Sequence, residues 1–334
     1  MRIALIGAVM HDEIQTVDGR RFESFGGILY NLMALGVVTG RDDVLQPFGY
    51  LSRTHREVVL RDFLARLPQV DDSGLMEFAG GTDSNFLRYV TPSSRREKMN
   101  VVAPAIGCDV LEPMRGADAV LVNFISGHEM LLEDFITLPE LTRGPVYLDV
   151  HNLGKLREDG VPVPGHRFYD WAQWFAAVDI VQANEWEVER LFGLHPEAEA
   201  EYRTAALRFL EVPGPSIAIL TVGGQGCAIA WREEERLRFA RIPAMPDLEI
   251  VDTTGCGDCF SAGFLVEYLR TKSPLLSAVF AATVSGMNCA EKGLDGLSRL
   301  SGVRETMHRE YGALLEKIAG GWNGEEVAGM GNGE

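Results

Sequence analysis

The clearest offer of chemistry in the chain is Asp258, a carboxylate set in the turn Gly255-Cys256-Gly257-Asp258. Ile250 and Val251, which read as the end of a buried strand, and Asp252-Thr253-Thr254 lead into it. Phe260, Ala262, Gly263, Phe264, Val266, Tyr268 and Leu269 follow as a largely apolar helix running to about Arg270. A glycine-rich turn that opens a helix points free backbone N–H groups at one spot, and the helix dipole adds about half a positive charge there. The N–H groups of Gly255, Cys256, Gly257 and Asp258 thus form a candidate anion hole, with phosphate the common occupant. A carboxylate beside such a hole can take a proton from a nucleophile attacking phosphorus.

Other uses of the turn have to be weighed. It can serve chain reversal alone, with Asp258 a helix cap. The dinucleotide fingerprint needs a third glycine or alanine where Phe260 stands, and no GxxxxGK[ST] loop exists anywhere in the chain. The full string is longer than either competitor. Asp252-Thr253-Thr254-Gly255-Cys256-Gly257-Asp258-x-Phe260 resembles the DTTGAGDxF signature of the ribokinase-like (PfkB) sugar and nucleoside kinases. Gly26-Gly27-x-x-x-Asn31, followed by Gly40, is similar to that family's N-terminal motif. The two motifs stand in the family's order, and the resemblance spans nearly the whole chain.

The resemblance implies a set of roles. Asp258 is then the general base, and Asn184 and Glu187, in Asn184-Glu185-Trp186-Glu187, match the NxxE motif that serves Mg²⁺ through water. On spacing alone that pair is equally a helix cap and capping box. Thr221-Val222-Gly223-Gly224-Gln225-Gly226 resembles the TxGxxG segment near the ATP phosphates; Thr221, Gly223, Gly226, Thr253 and Asn288 are the nucleotide candidates, with 281–292 as the adenine wall. Asp252 and Thr254 match positions where family members often bind a monovalent cation such as K⁺. Asp12, Gly26, Gly27 and Asn31 match the sugar-gripping positions. The chain departs from the pattern at Ile28, Leu29 and Tyr30, where small or polar residues and often a lysine stand. Members acting on phosphorylated sugars tend to carry that lysine; Arg88, Arg95, Arg96 and Lys98 are the cations available to replace it. The implied activity is ATP-dependent phosphorylation of a hydroxymethyl group on an unphosphorylated sugar or polyol. A nucleoside kinase of the same fold and a non-catalytic sugar-binding regulator are the alternatives.

Composition sets outer bounds. A chain of 334 residues, 46% hydrophobic, can bury a full core. A formal charge of −17 argues against nucleic acid and anionic membrane as partners. Five cysteines (Cys108, Cys227, Cys256, Cys259, Cys289) are odd in number and lack disulfide-framework spacing, which points to a reducing cytoplasm. Cys256-x-x-Cys259 has no second pair to complete a zinc site. Cys256 instead sits where a helix N-terminus lowers a thiol's pKa. The N-terminal run suits a first strand rather than a leader, and no apolar run reaches the ~18–20 residues of a membrane span.

The elements that must position these residues alternate strand and helix, which predicts an α/β three-layer sandwich with a parallel-rich central sheet. In such sheets ligands sit beyond the carboxyl ends of the strands. Two hairpins, about 12–25 around Asp18-Gly19 and about 85–102 around Pro92-Ser93-Ser94, interrupt the rhythm and correspond to the family's β-lid, through which members can pair as homodimers. Helices are expected over 129–138 and 172–177, and a long surface loop from His151 to about Arg167. The kinase domain is placed at 1–319, and the acidic, glycine-rich stretch 320–334 is read as a flexible tail.

Overall fold

Arg2–Gly7 is a run of apolar residues buried on alternate sides, and it becomes the central strand, β1, of the chain's main sheet. The computed structural model describes residues 1–91, 94–246, 248–294 and 301–327, and of residues 94 and 95 the backbone alone. After β1 come β2 (Val9–Gln15), β3 (Arg21–Gly27), α1 (Ile28–Val38), β4 (Val44–Leu51), α2 (Arg53–Asp62), β5 (Leu75–Glu77), β6 (Ser84–Thr91) and β7 (Ser94–Asn100). The middle of the chain forms β8 (Ala119–Asn123), α3 (Leu132–Phe135), α4 (Leu138–Leu141), β9 (Val146–Asp149), the small pair β10 (Arg157–Glu158) and β11 (Val161–Pro162), α5 (Trp171–Phe175), β12 (Ile180–Asn184), α6 (Glu185–Phe192) and α7 (Glu199–Arg208). The last part supplies β13 (Ile217–Thr221), β14 (Cys227–Glu233), β15 (Arg236–Ile242), α8 (Cys256–Thr271), α9 (Pro274–Cys289), α10 (Val303–Ala319) and β16 (Glu325–Val327).

The main sheet has ten strands in the order β16-β15-β14-β13-β12-β9-β8-β1-β4-β5. The strands from β13 to β5 are parallel; β14, β15 and β16 add antiparallel at one end. Side chains of β1 alternate between two apolar cores. Ile3 and Leu5 join α1, α8, α9 and α10 on one side, and Ala4 and Ile6 join α3 to α7 on the other. This is the three-layer sandwich. The two expected hairpins form one separate sheet, β3-β2-β6-β7, hinged to the main body where β1 gives way to β2. Residues 92 and 93 of the expected second turn lie outside the described residues.

Three expectations about elements need correction. The helix over 129–138 is only the two short turns α3 and α4. The Glu129 backbone carbonyl accepts from the Ile106 N–H (2.7 Å), its carboxylate accepts from the Gly127 N–H (3.0 Å), and Pro139 restarts the chain at α4. Ile250 and Val251 are no buried strand; they are 58% and 56% exposed, and the Val251 N–H is tied to the Cys289 carbonyl at 2.8 Å. The third correction concerns the tail. Residues 325–327 pair with β15 as an edge strand, and Trp322 packs against the core. Gly324 makes this possible: its φ is +70°, and any Cβ there would collide with the Trp231 ring. Residues 328–334 lie outside the described residues.

If β16 covers the end of the sheet, deleting residues 322–334 will uncover Trp231 and the β15 edge. The expected result is a lower thermal midpoint, by about 2–4 °C for each kcal/mol lost, with a greater tendency to associate through the bared edge. Differential scanning calorimetry and sedimentation check it; an unchanged midpoint would show that the strand contributes nothing.

Candidate active site

Three neighbouring parallel strands end in polar residues that the sheet register sets side by side. Asn123 on β8 stands opposite Asp149 on β9, and Asp149 opposite Gln182 on β12. All three are buried. Such a row is costly unless every group finds a partner, and the partner is the N-terminus of α8. The Asn123 side-chain amide donates to a carboxylate oxygen of Asp258 (2.7 Å) and to the side-chain oxygen of Asn31 (3.1 Å). The Gln182 amide donates to Asp149 (3.0 Å) and to the carbonyl of Gly257 (3.1 Å), while the Tyr147 hydroxyl donates to Gln182 (2.7 Å). From α1, the Asn31 amide donates to the Asp258 carbonyl (3.0 Å) and to Ser261 Oγ (2.9 Å). The first turn of α8 is therefore screwed to the carboxyl edge of the sheet at both its carbonyls and its carboxylate.

Burial pushes the Asp258 carboxyl up to about 6, against the opposing pull of the Asn123 hydrogen bond. Burial raises Glu187 to about 7 and Asp149 well above the usual carboxylate range, and the negative charges of the group add to both. Three acids facing one cleft with this excess of negative charge make a site that favours a cation or a proton.

Those acids wall a cleft of about 2010 Å³. A pocket for one drug-sized ligand spans roughly 300–1,000 Å³, so the cleft has room for two molecules. Its donor end is walled by Thr221, Asn184, Glu187, Asp252 to Gly255, Gly257 and Asp258. Its other end is the inner face of the small sheet. Asp12, Asn85, Leu87, Tyr89, Glu97 and Met99 face the cleft, each at alternate positions along its strand. The cations Arg88, Arg96 and Lys98 hold the opposite parity; they are exposed and do not wall the cleft. The side chain of Arg95 lies outside the described residues.

Residues 167–299 match the family model "pfkB family carbohydrate kinase". A ribokinase from Arabidopsis thaliana is 29% identical over 149 residues, 45% of this chain and 35% of that protein. An uncharacterized sugar kinase from Archaeoglobus fulgidus is 34% identical over 116 residues, 34% of this chain and 41% of that protein. The sequence matches thus span about two fifths or less of these curated relatives. The whole fold is shared more widely: the structure of Arabidopsis thaliana ribokinase complexed with ribose and ATP superposes with a TM-score of 0.73 at 18% identity, covering 91% of this chain and 98% of that one. Residues 167–299 thus match the PfkB carbohydrate kinases, and the chain as a whole has the ribokinase-like fold.

Within this fold the site residues expected from sequence divide into those that wall the cleft and those that do not. Asp12, Gly26, Gly27, Asn184, Glu187, Thr221, Asp252, Thr253, Thr254, Gly255, Gly257 and Asp258 all face it. Asn31, expected as a sugar contact, is instead fully buried and braces α8. The Cys256 N–H turns back to the Thr253 carbonyl (3.3 Å) and the residue does not wall the cleft, so the candidate anion donors are the other three N–H groups. Gly223 and Gly226 form the turn between β13 and β14, outside the wall. Asn288 is buried and donates to the Thr254 carbonyl (3.0 Å), holding the turn rather than a nucleotide. Of the expected adenine wall over 281–292, Lys292 lines the cleft, beside Gly293 and Leu294.

The NxxE pair closes a full capping box: Asn184 Oδ1 accepts from the N–H of Trp186 and Glu187 (both 3.0 Å), and Glu187 accepts from the Asn184 N–H (2.8 Å). Both still face the cleft. Among the described residues no three acidic, histidine or cysteine side chains are close enough to cage a metal. The all-oxygen, negatively charged donor set fits Mg²⁺ of the kind carried on phosphates and reached through water. The fit for K⁺ is poor. Asp252 accepts from the N–H of Thr254 (2.9 Å) and of Gly293 (3.3 Å), and the Thr254 carbonyl is taken by Asn288. Two things escaped the sequence reading. One is the polar row, whose signal is a lone Asn, Asp or Gln closing each of three apolar runs. The other is Tyr30, which packs beneath Gly255 and within 3.6 Å of where a Gly26 Cβ would stand.

Gly255 has φ +74°, and a Cβ there would overlap the Tyr30 ring. Gly255→Ala is expected to cost about 1–3 kcal/mol of stability through strain and clash. Tyr30→Ala combined with it should recover the clash share. Denaturant midpoints for the two single variants and the double check this, and strict additivity would show that the ring and the turn do not communicate.

Proposed function

We propose that the protein is an ATP-dependent kinase that phosphorylates a hydroxymethyl group of an unphosphorylated sugar or sugar-like polyol, with Asp258 as general base. The observation that carries this reading is one carboxylate, buried yet facing a two-ligand cleft, within the same turn as the anion-directed N–H groups. Asp12 and Asn85 on the lid face would receive a diol, and the closing lid would exclude water. Asp258 then accepts the proton of the bound hydroxyl as its oxygen attacks the transferred phosphoryl group. The N–H groups of Gly255, Gly257 and Asp258 stabilise the charge on the phosphoryl oxygens. Mg²⁺, with Glu187 and Asn184 holding it through water, would neutralise the donor phosphates. The outward parity of Arg88, Arg96 and Lys98 supports an acceptor without a phosphate of its own, since among the described side chains of the lid strands no arginine or lysine walls the cleft. Arg20, Arg66 and Lys292 reach the cleft only from its exposed rim.

A nucleoside acceptor is the second reading, favoured by Phe22, Leu87, Tyr89 and Met99 on the cleft face of the lid sheet. A coupled ADP-release screen over sugars, sugar acids, sugar phosphates and nucleosides separates the two. Release with nucleosides alone would overturn the sugar assignment. The lid also carries Val90, 52% exposed and outside the cleft wall, and we read its outer edge as a homodimer contact. Sedimentation showing a monomer at micromolar concentration would remove that contact and leave closure standing.

Asp258→Asn should keep both ligands but lose turnover by ~10²–10⁴-fold; near-wild-type turnover would remove Asp258 from the mechanism. A folded-state value near 6, above the ordinary 3.8, means the folded protein holds the proton more tightly. The stability this proton gives is present below the ordinary value and lost as pH rises to about 6. At pH 7.5 the Asn variant should therefore melt no lower than wild type.

The base needs its carboxylate form, so kcat/KM should rise through an acid limb near pH 6. Asn123→Ala withdraws the hydrogen bond that favours the carboxylate, and its limb should move to higher pH. A limb that stays in place would show that Asn123 does not tune the base.

A further inference from the structure

Cys256 and Cys289 are 33 residues apart in sequence, yet their Cα atoms are 6.3 Å apart and the two sulfurs are joined. That Cα separation lies within the span a disulfide bridges. One partner opens α8 inside the phosphate turn, and the other closes α9. The same two segments are already laced together by polar contacts. The Cys289 carbonyl accepts from the N–H of Val251 (2.8 Å) and Asp252 (3.2 Å), and the Asn288 amide reaches both the Thr254 carbonyl (3.0 Å) and Cys256 Sγ (3.4 Å). Cys259, the sequence neighbour of Cys256, is buried in α8 and cannot compete, and Cys227 is buried in the sheet. Both members of the pair are partly exposed, so a small thiol can reach them.

We propose that Cys256 and Cys289 are a reversible thiol–disulfide modification site that clamps the phosphate turn to α9 and so sets the affinity for the phosphoryl donor. The oxidant is a low-molecular-weight disulfide of the glutathione class. One cysteine thiolate attacks it, releasing one glutathione thiolate and leaving a mixed disulfide. The second cysteine thiolate then displaces the other glutathione. Two protein thiols have lost two protons and two electrons, and one glutathione disulfide has become two thiols. A disulfide in a chain otherwise poor in disulfide spacing fits a transient, sensing role better than a permanent staple. Its effect follows from geometry. The clamp closes a loop that contains Asp258 and all of α8, and fixes the turn whose N–H groups face the cleft, so the oxidised form meets the donor already organised. Reduction frees the turn to move.

The effect on donor affinity rests on the kinase reading above; the chemistry of the pair does not. The full chain, carrying Cys108→Ser to remove the exposed thiol, is equilibrated over a range of reduced to oxidised glutathione and quenched. Differential alkylation with peptide mapping then reads the pair, and initial rates against ATP read the donor KM. The expected result is that Cys256 and Cys289 convert together into one linked peptide. Full reduction should raise the donor KM by about fivefold or more, at the lower end of coupling between sites, and lower the thermal midpoint. Cys289→Ala should show neither response, and Cys289→Ser repeats the control should the first variant fold poorly. Absence of a linked 256–289 peptide at every ratio overturns the site. A linked peptide with an unchanged KM and an unchanged midpoint overturns the clamp. A protein that forms the link and shifts its midpoint but transfers no phosphoryl group refutes the kinase reading and leaves the clamp in place.

Discussion

The seat of α8 on the carboxyl edge of the sheet is the interaction on which the rest of the molecule depends. A helix start carries unpaired N–H groups, and these are useful for binding an anion only if the turn is fixed from the other side. Here the fixing is polar throughout. Asn123, Asn31 and Gln182 hold the carboxylate of Asp258, its carbonyl and the carbonyl of Gly257. The carbonyls of the turn are tied downward, which leaves its N–H groups aimed upward into the cleft. Replacing these amides with apolar residues of similar size would satisfy the core and lose the aim.

A second dependence links the two ends of the cleft. Tyr30 leaves α1 immediately before Asn31 and fills the space between Gly26 on the lid entry and Gly255 on the phosphate turn. Gly255 is needed for the ring to fit, whereas a Cβ on Gly26 would make ordinary contact with it. The resemblance implies small or polar residues, and often a lysine, over 28–30, so the volume of Tyr30 is a departure of this chain. It makes the acceptor floor and the donor turn neighbours through one aromatic ring.

The architecture was legible in the sequence because it rests on periodicity. The two lid hairpins stand out since period-two segments break an α/β rhythm. The motif residues facing the cleft were legible because glycines and a carboxylate at fixed spacing have few other uses. What escaped was set by partners distant in sequence. The polarity of Asn123, Asp149 and Gln182 has no local explanation, and only the register of β8, β9 and β12 shows that they form one row. Ile250 and Val251 look like strand because they are apolar and β-branched, yet no neighbouring strand offers them a ladder. The tail looks disordered by composition, but Trp322 and three paired residues are enough to dock it. The cysteine spacing misled for the same reason, since the segment between positions 33 apart folds into two antiparallel helices that return the chain to its start.

The electrostatics of the cleft complete the picture. Asp258 raises the proton affinity of both Asp149 and Glu187, and Glu187 that of Asp149, so without a cation the site holds charge at a cost. A fold could relieve that cost with a lysine or arginine, and this one does so only at Glu187. Arg190 and Lys155 act on Glu187 from behind, while Asp258 has only the neutral amide of Asn123. In the role proposed for Asp258, a permanent cation would hold the base ionised but too weak to take a proton. A neutral donor leaves it poised between the two states near neutral pH. The charge that finally favours ionisation must then arrive with the ligands, which makes the strength of the base depend on whether the cleft is filled.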